Sequence, residues 1–329
     1  MKKRIRLFAV MLIIVMVSLS VGCGQTENNA GNTGEEKYTI GVSLPTVNGP
    51  FFTALIYGIV SQAEALGLET VVLDAGGYEN IDTQITHMED LITRKVDGIL
   101  LDPADDKAVA PMVDEAVANN IQVVGSGSPI DNDKIISCVS VDHTELGREM
   151  ARYLVEVMDG KGEVIVLAGP AGALWTENRY AGFMEILADY PEMKVLTTQW
   201  GSPDRASGLQ LAEDLLGRYP DATAMYAADD AIGQGAGDAL VANGKTEQVQ
   251  LVTAVLGPDT ETMIRNGAID ASVAQRTVVI GQLSVDTMLD VIQGKQVEKE
   301  IIVPTITVTK DNIDTIDMSE IRQPEGWRP

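Results

Sequence analysis

From Tyr38 onward, short apolar runs rich in Val, Ile and Leu alternate with longer amphipathic stretches. The first run is Tyr38 to Leu44, and the spacing after it predicts a helix from about Phe52 to Leu66. Runs at Thr70 to Leu73, Gly98 to Leu101 and Ile121 to Val124 predict strands. Helices fit between them, near Asp82 to Arg94 and Lys107 to Asn119. Strands that are apolar throughout, and separated by helices, are buried on both faces, which is the situation of a parallel sheet. Right-handed crossovers follow.

The pattern restarts after Val141. A helix fits Glu145 to Met158, and strands fit Glu163 to Ala168, Lys194 to Gln199, Ala224 to Ala227 and Gln250 to Ala254. Helices fit Thr176 to Ala188, Arg205 to Arg218, Ile232 to Ala242 and Asp259 to Asn266. A last set comprises strand Ala271 to Ala274, helix Ile280 to Ile292 and strand Glu300 to Val303. The fold class is therefore α/β, with two doubly wound parallel-sheet lobes. No linker rich in Pro, Gly or Ser separates them. The compact join at Val141-Asp142-His143 predicts a hinge.

The start of the chain follows other rules. Lys2, Lys3, Arg4 and Arg6 precede an unbroken apolar run from Leu7 to Val17, then small residues, then Cys23. The run is too short to span a bilayer and reads as the core of a signal peptide, residues 1–22. Ser20-Val21-Gly22-Cys23 resembles a lipoprotein processing site, with serine where leucine is usual; a secreted protein with a free Cys23 is the alternative. Residues 23–36 hold no large apolar side chain and read as a flexible tether. A diacylglyceryl group on Cys23 would supply two acyl chains, enough for stable anchoring. With Cys23 modified, Cys138 has no partner and reads as a small buried hydrophobe.

The chain has 24 basic and 48 acidic residues, a formal charge of −24. That sign argues against nucleic acid and anionic membrane surfaces as partners.

In open α/β sheets, ligands bind at the carboxyl ends of the strands. The loops there carry Pro45 to Phe52, Asp74 to Tyr78, Asp102 to Asp105 and Gly125 to Ser128 in the first unit. In the second they carry Gly169 to Trp175, Trp200 to Pro203, Ala228 to Asp230 and Leu256 to Pro258. The chain holds only 4 Phe, 8 Tyr and 3 Trp, yet Phe51, Phe52, Tyr78, Trp175 and Trp200 all fall in or beside these loops. Flat rings suit either a sugar face or a caged cation. Asp229 reads equally as a helix cap or a ligand contact, Asp230 as a cap. Asp105-Asp106 reads as a helix start.

Enzyme motifs are weak. His87 reads as a helix-surface residue and His143 lies at the hinge, neither with a neighbour at metal-ligand spacing. Gly125-Ser126-Gly127-Ser128 lacks the order of a nucleophile elbow. Gly233-Gln234-Gly235-Ala236-Gly237 lies inside a predicted helix, not directly after a strand, so it does not read as a dinucleotide loop. No cofactor or metal is expected, and the chain reads as a binding protein, not an enzyme.

Tyr38-Thr39-Ile40-Gly41-Val42, Asn48-Gly49-Pro50-Phe51-Phe52, Leu100-Leu101-Asp102-Pro103, Val141-Asp142 and Ala274-Gln275 together resemble, in order, the ribose-type periplasmic binding proteins. The resemblance implies the type I fold of that family, with a hinge crossed several times. The first lobe would comprise 37–141 plus 276–303, and the second 142–275 plus 304–329. It further implies an extracytoplasmic, monomeric receptor that delivers a sugar, polyol or similar small polar solute to an ABC permease. Carried over by position, Phe51 and Phe52 would stack on the ligand, Arg179, Asp229 and Gln275 would hydrogen-bond it, and Asp102 would be a further ligand-binding residue. Three of the family's hydroxyl-binding positions fall instead at Gly49, Gly127-Ser128 and near Val255. A second resemblance offers another reading: Asp74 to Tyr78 and Gly169 to Trp175 look like loops of the periplasmic trimethylamine-N-oxide sensor. It implies a receptor for a membrane histidine kinase, with Phe51, Phe52, Tyr78 and Trp175 boxing a methylated amine or N-oxide. Arg179 suits an N-oxide oxygen, a carboxylate or a sugar hydroxyl better than a cation.

Overall fold

The computed structural model describes residues 37–329. The signal peptide, the tether and Cys23 lie outside them. The first sheet has six strands in the order β11-β5-β4-β3-β1-β2, and the second has six in the order β12-β10-β9-β8-β6-β7. In the first, β1 (Thr39–Leu44), β2 (Glu69–Asp74), β3 (Gly98–Leu101), β4 (Gln122–Gly127) and β5 (Ser137–Ser140) alternate with α1 (Pro50–Ala65), α2 (Ile81–Arg94) and α3 (Asp106–Ala118). In the second, β6 (Gly162–Gly169), β7 (Met193–Trp200), β8 (Ala224–Ala227), β9 (Gln250–Ala254) and β10 (Ala271–Ala274) alternate with α4 (His143–Val157), α5 (Leu174–Leu187), α6 (Arg205–Arg218), α7 (Asp230–Ala242) and α8 (Pro258–Asn266). Central strands such as β3 and β8 are buried at every residue, as parallel strands between helix layers must be.

The chain passes between the sheets after β5, after β10 and after β11. Helix α9 (Thr277–Ile292) follows the second passage and packs on α1 of the first lobe. Gly58 and Gly281 make that contact close: a Cβ on Gly281 would overlap the Leu55 carbonyl oxygen. Strand β11 (Glu300–Ile302) then extends the first sheet in parallel beside β5, and β12 (Ile306–Thr309) closes the second antiparallel to β10. The alternation of apolar runs does not reveal β12. The tail after it reaches back, since Trp327 packs edge-on against Tyr57 of α1 at 5.2 Å. The end of the segment assigned from sequence to the second lobe thus touches the first.

The glycine-rich run at 233–237 is accounted for by packing. It sits within α7, where a Cβ on Gly235 would overlap the Arg205 carbonyl oxygen of α6.

Candidate functional site

The carboxyl-end loops of both sheets face one another around a cavity. Its walls include Phe51, Phe52, Tyr78 and Ser128 from the first lobe and His143, Trp175, Arg179, Asp229, Asp230, Val255 and Gln275 from the second. About 70 Å³ is open to the centres of water molecules, several times the ~10–15 Å³ that one water needs.

Phe51 and Phe52 occupy the first turn of α1. Gly49 precedes them at φ 89°, a left-handed conformation that lets the chain turn abruptly into Pro50 at the helix start. The rings stand edge to face at 5.2 Å; Tyr78 lies 6.3 Å from Phe52, and Trp175 lies 6.2 Å from Tyr78. Phe51, Phe52, Tyr78 and Trp175 therefore form one chain of rings along the cavity wall. Trp200, grouped with them from sequence, stands apart. It ends β7, packs edge-on against Tyr180 at 5.7 Å and does not line this cavity.

Trp175 and Arg179 sit one helical turn apart on α5, and the Arg179 Cζ lies 4.6 Å from the Trp175 ring centroid. Arg179 is buried. Its Nε donates to His143 Nδ1 at 3.2 Å and its Nη1 to the Ala228 carbonyl at 2.6 Å. The close approach of α4 and α5 makes this arrangement possible. A Cβ on Gly147 would overlap the Arg179 carbonyl oxygen, so only glycine lets the helices meet there.

His143 opens α4, with Asp142 capping the helix by accepting from the Glu145 amide. Nδ1 accepts from Arg179, so the proton resides on Nε2, which faces the Gly127 carbonyl at 3.2 Å and Ser140 Oγ at 3.3 Å. Burial, and then the nearby Arg179, hold its pKa well below the ordinary value, so the ring is neutral.

Asp229 caps a helix and also stands where a ligand could reach it. Its Oδ1 accepts from the Ile232 amide as the cap of α7, and the residue lines the cavity. Asp230 is not merely a second cap: it is buried, lines the cavity, and its Oδ2 makes no well-formed hydrogen bond. Burial pushes the Asp229 carboxyl up to about 6, and burial together with Asp229 raises Asp230 well above the carboxylate range. Gln275 is fully buried with neither amide atom partnered. Trp175 Nε1 makes no well-formed hydrogen bond, although it stands close enough to the Tyr78 hydroxyl to favour its ionised form.

Asp102 stands one layer behind the wall. It is fully buried, and neither carboxylate oxygen makes a well-formed hydrogen bond. Burial raises it to about 7, with Ser128 and Arg179 nearby opposing the rise. Its backbone is braced by Gln84, which donates to the Asp102 carbonyl at 2.7 Å and accepts from the Ala104 amide at 2.8 Å. Gly127 makes room for it: a Cβ there would lie 2.6 Å from Asp102 Oδ2 and 3.0 Å from Phe51 Cζ. Of the residues assigned to the site from sequence, Phe51, Phe52, Tyr78, Trp175, Arg179, Asp229 and Gln275 meet at the cavity, and Asp102 supports it from behind.

Val255 lies in the cavity wall at φ 67°. A β-branched residue is a genuine outlier there, and a carbonyl hydrogen bond from the Ser272 hydroxyl holds the segment. His143, Asp230 and Val255 are among the wall residues that sequence reasoning did not assign to the ligand. The acidic pair at a strand's carboxyl end was the available signal for Asp230.

Among the described residues no cluster of three or more His, Cys, Asp or Glu could hold a metal, and no helix is long and apolar enough to cross a membrane.

Two facing α/β lobes, joined by several chain passages and enclosing one polar-aromatic cavity, define a two-lobed solute receptor. A periplasmic binding protein domain matches residues 40–296, and the chain belongs to that family. It is 30% identical over 304 residues to the ribose import binding protein RbsB of Bacillus subtilis (strain 168), covering 92% of this chain and 98% of that one. It is 26% identical over 290 residues to the periplasmic protein TorT of Escherichia coli O157:H7, covering 87% and 82%. Among solved structures, a carbohydrate transporter solute binding protein from Agrobacterium radiobacter in complex with D-arabinose superposes with a TM-score of 0.82. The two are 25% identical, over 84% of this chain and 96% of that one.

Proposed function

We propose that this chain is an extracytoplasmic lipoprotein, anchored through Cys23, that captures a neutral sugar or polyol between its lobes and delivers it to an ABC permease. The observation that carries the ligand class is the set of buried, unpartnered polar atoms at the cavity. Gln275 offers a donor and an acceptor, both fully unpartnered, and Trp175 Nε1 and the Asp230 carboxyl add polar atoms without a well-formed hydrogen bond. Each such atom costs about 1–3 kcal/mol while unmatched. A hydroxyl both donates and accepts, so a polyhydroxylated ligand can match all of them while its C–H faces pack on Phe51 and Phe52. The ribose and arabinose named for the relatives agree with this chemistry.

The sensor reading gains from the four adjoining rings and from the likeness to TorT. It is disfavoured because Arg179 already stacks on the Trp175 ring. A methylated cation would meet that guanidinium and would leave Gln275 unmatched. Thermal-shift screening of D-ribose, D-arabinose, D-allose, xylitol, myo-inositol, choline, glycine betaine and trimethylamine N-oxide tests the choice. Stabilisation by at least one sugar or polyol is expected. Stabilisation by the methylated compounds alone would overturn it in favour of the sensor.

A further inference from the structure

A second space adjoins the cavity at its mouth. Tyr78, Glu79, Ala104 and Asp105 of the first lobe and Trp200 and Pro203 of the second are among the residues lining this groove of about 370 Å³. Tyr78 and Pro203 line the inner cavity as well, so the two spaces meet at those side chains. Trp200 is 38% exposed, in a chain whose other large rings at the site are largely covered. It is also fixed. Tyr180 braces it edge-on at 5.7 Å, and the Tyr180 hydroxyl lies 3.3 Å from Thr198 Oγ1 on the same strand. A braced, solvent-facing indole offers a flat apolar platform. Asp105 and Glu79 place carboxylates on the opposite rim. Asp105 Oδ1 caps α3, accepting from the Lys107 and Ala108 amides, and Oδ2 lies 3.3 Å from where a Cβ of Gly172 would stand, across the cleft.

From this geometry we infer a second sugar subsite in the groove, so that the ligand is a disaccharide or glycoside whose first ring fills the cavity and whose second lies on Trp200. The flat apolar face of a pyranose or furanose ring matches the indole. Its equatorial hydroxyls match the carboxylate acceptors opposite. The glycosidic link would pass between Tyr78 and Pro203, the only residues common to both spaces among the described linings. Because the groove draws residues from both lobes, the second ring would also be held only when the lobes are closed. This inference rests on the sugar reading of the inner cavity.

The test uses the mature chain and two probe sets. One holds D-ribose, D-arabinose, D-allose, xylitol and myo-inositol; the other holds sucrose, trehalose, maltose, cellobiose, lactose and melibiose. Calorimetric titration of wild type and Trp200→Ala follows for each probe that binds. At least one disaccharide is expected to bind more tightly than every monosaccharide or polyol. Trp200→Ala should weaken that disaccharide tenfold or more while changing affinity for any binding monosaccharide less than twofold. Trp200→Phe, which keeps a flat ring, should recover part of the loss. If monosaccharides or polyols bind and no disaccharide does, the groove is not a sugar subsite, although the inner site stands. The groove is equally ruled out if Trp200→Ala leaves disaccharide affinity unchanged or weakens both sets equally. If neither set binds, the sugar reading of the cavity itself fails, and the second subsite with it.

Discussion

Arg179 donates from Nε to Nδ1 of His143 at 3.2 Å, and this bond ties a cation at the cavity wall to the first helical residue after the chain leaves the first sheet. The other ring nitrogen faces the Gly127 carbonyl at the end of β4. The imidazole therefore stands between an edge of the first lobe and the guanidinium that lines the cavity, in a single tautomer. A site built this way holds Arg179 in place before the ligand arrives, which lowers the ordering cost of binding.

Replacing His143 by Ala removes a buried partner from both Arg179 and Gly127. Stability should fall by about 1–3 kcal/mol, and affinity for a binding sugar should fall at least tenfold, or about 1.4 kcal/mol. Urea unfolding and calorimetry measure the two. Arg179→Lys should lose as much affinity as Arg179→Ala, because an ammonium can neither stack on Trp175 nor keep the forked contacts to His143 and Ala228. Lost stability with unaltered affinity would confine His143 to the fold.

Asp102 sets a pH dependence. Its carboxyl is raised to about 7 by burial and that of Asp229 to about 6, against ~3.9 in an unfolded chain. Between those values the folded chain binds protons that the unfolded chain does not, so stability falls as pH rises from about 4 through 7. His143 acts with the opposite sign. Its depressed pKa removes stability as pH drops below its unfolded value of ~6.5. The raised acids outnumber it, so the ligand-free protein should melt higher at about pH 5.5 than at about pH 8. Asp102→Asn should flatten that slope and raise the melting temperature at about pH 8 by several degrees. Scanning calorimetry across the range checks this, and an unchanged slope in the variant would remove Asp102 as its source.

The proposed attachment through Cys23 makes a separate prediction, motivated by the apolar run before it and the polar stretch after it. Cys23→Ser should move the protein from the membrane fraction to the soluble extracytoplasmic fraction, with sugar affinity unaltered. Fractionation and immunoblotting read the outcome. A variant that stays with the membrane would place the attachment elsewhere.

What the sequence revealed and what it hid divide along a physical line. Runs such as Gly98 to Leu101 are apolar because both faces are covered, so they announce a parallel strand without knowledge of the partners. Loops at strand ends announce a ligand rim for the same topological reason. Strand β12 carries no such mark, since an antiparallel edge strand after Pro304 need not be apolar throughout. Asp230 was hidden because an acid in the first helical turn has a sufficient local explanation, and only its depth of burial shows that more is involved. Trp175 and Trp200 look equivalent in sequence. Which space each ring faces is decided by the packing of Arg179 and Tyr180 against them. His143 acquires its meaning only from Arg179 and Gly127, both distant along the chain.

Lobe closure has a contact that can be blocked. Pro50 begins α1 in the first lobe, and Gly257 precedes α8 in the second. A Cβ on Gly257 would stand 2.5 Å from Pro50 Cβ and 2.6 Å from its Cγ, well inside the 3.0 Å that real Cβ atoms keep. The proline ring is rigid, so no side-chain rotation relieves the overlap. Gly257 itself has φ −88° and ψ 172°, values that alanine adopts freely. The overlap with Pro50 therefore exists only when the lobes are together, whereas a milder contact at 3.0 Å with Asp230 Oδ2, in Gly257's own lobe, persists when they part. Overpacking of this kind costs about 1–3 kcal/mol, and the cost of the Pro50 overlap, the more severe of the two, falls on the closed, ligand-bound state. Gly257→Ala should thus weaken binding of a sugar about tenfold or more, a larger effect than the contact with Asp230 has on the unfolding of the ligand-free protein. Small-angle scattering should show a decrease in radius of gyration on saturation of the wild type, and a smaller decrease for the variant. Gly217→Ala, where nothing lies within 4 Å of the added carbon, is the control and should match the wild type in affinity and scattering. Wild-type affinity in Gly257→Ala would mean that Pro50 and Gly257 separate in the bound state. The lobes would then close on the ligand in a different relative orientation.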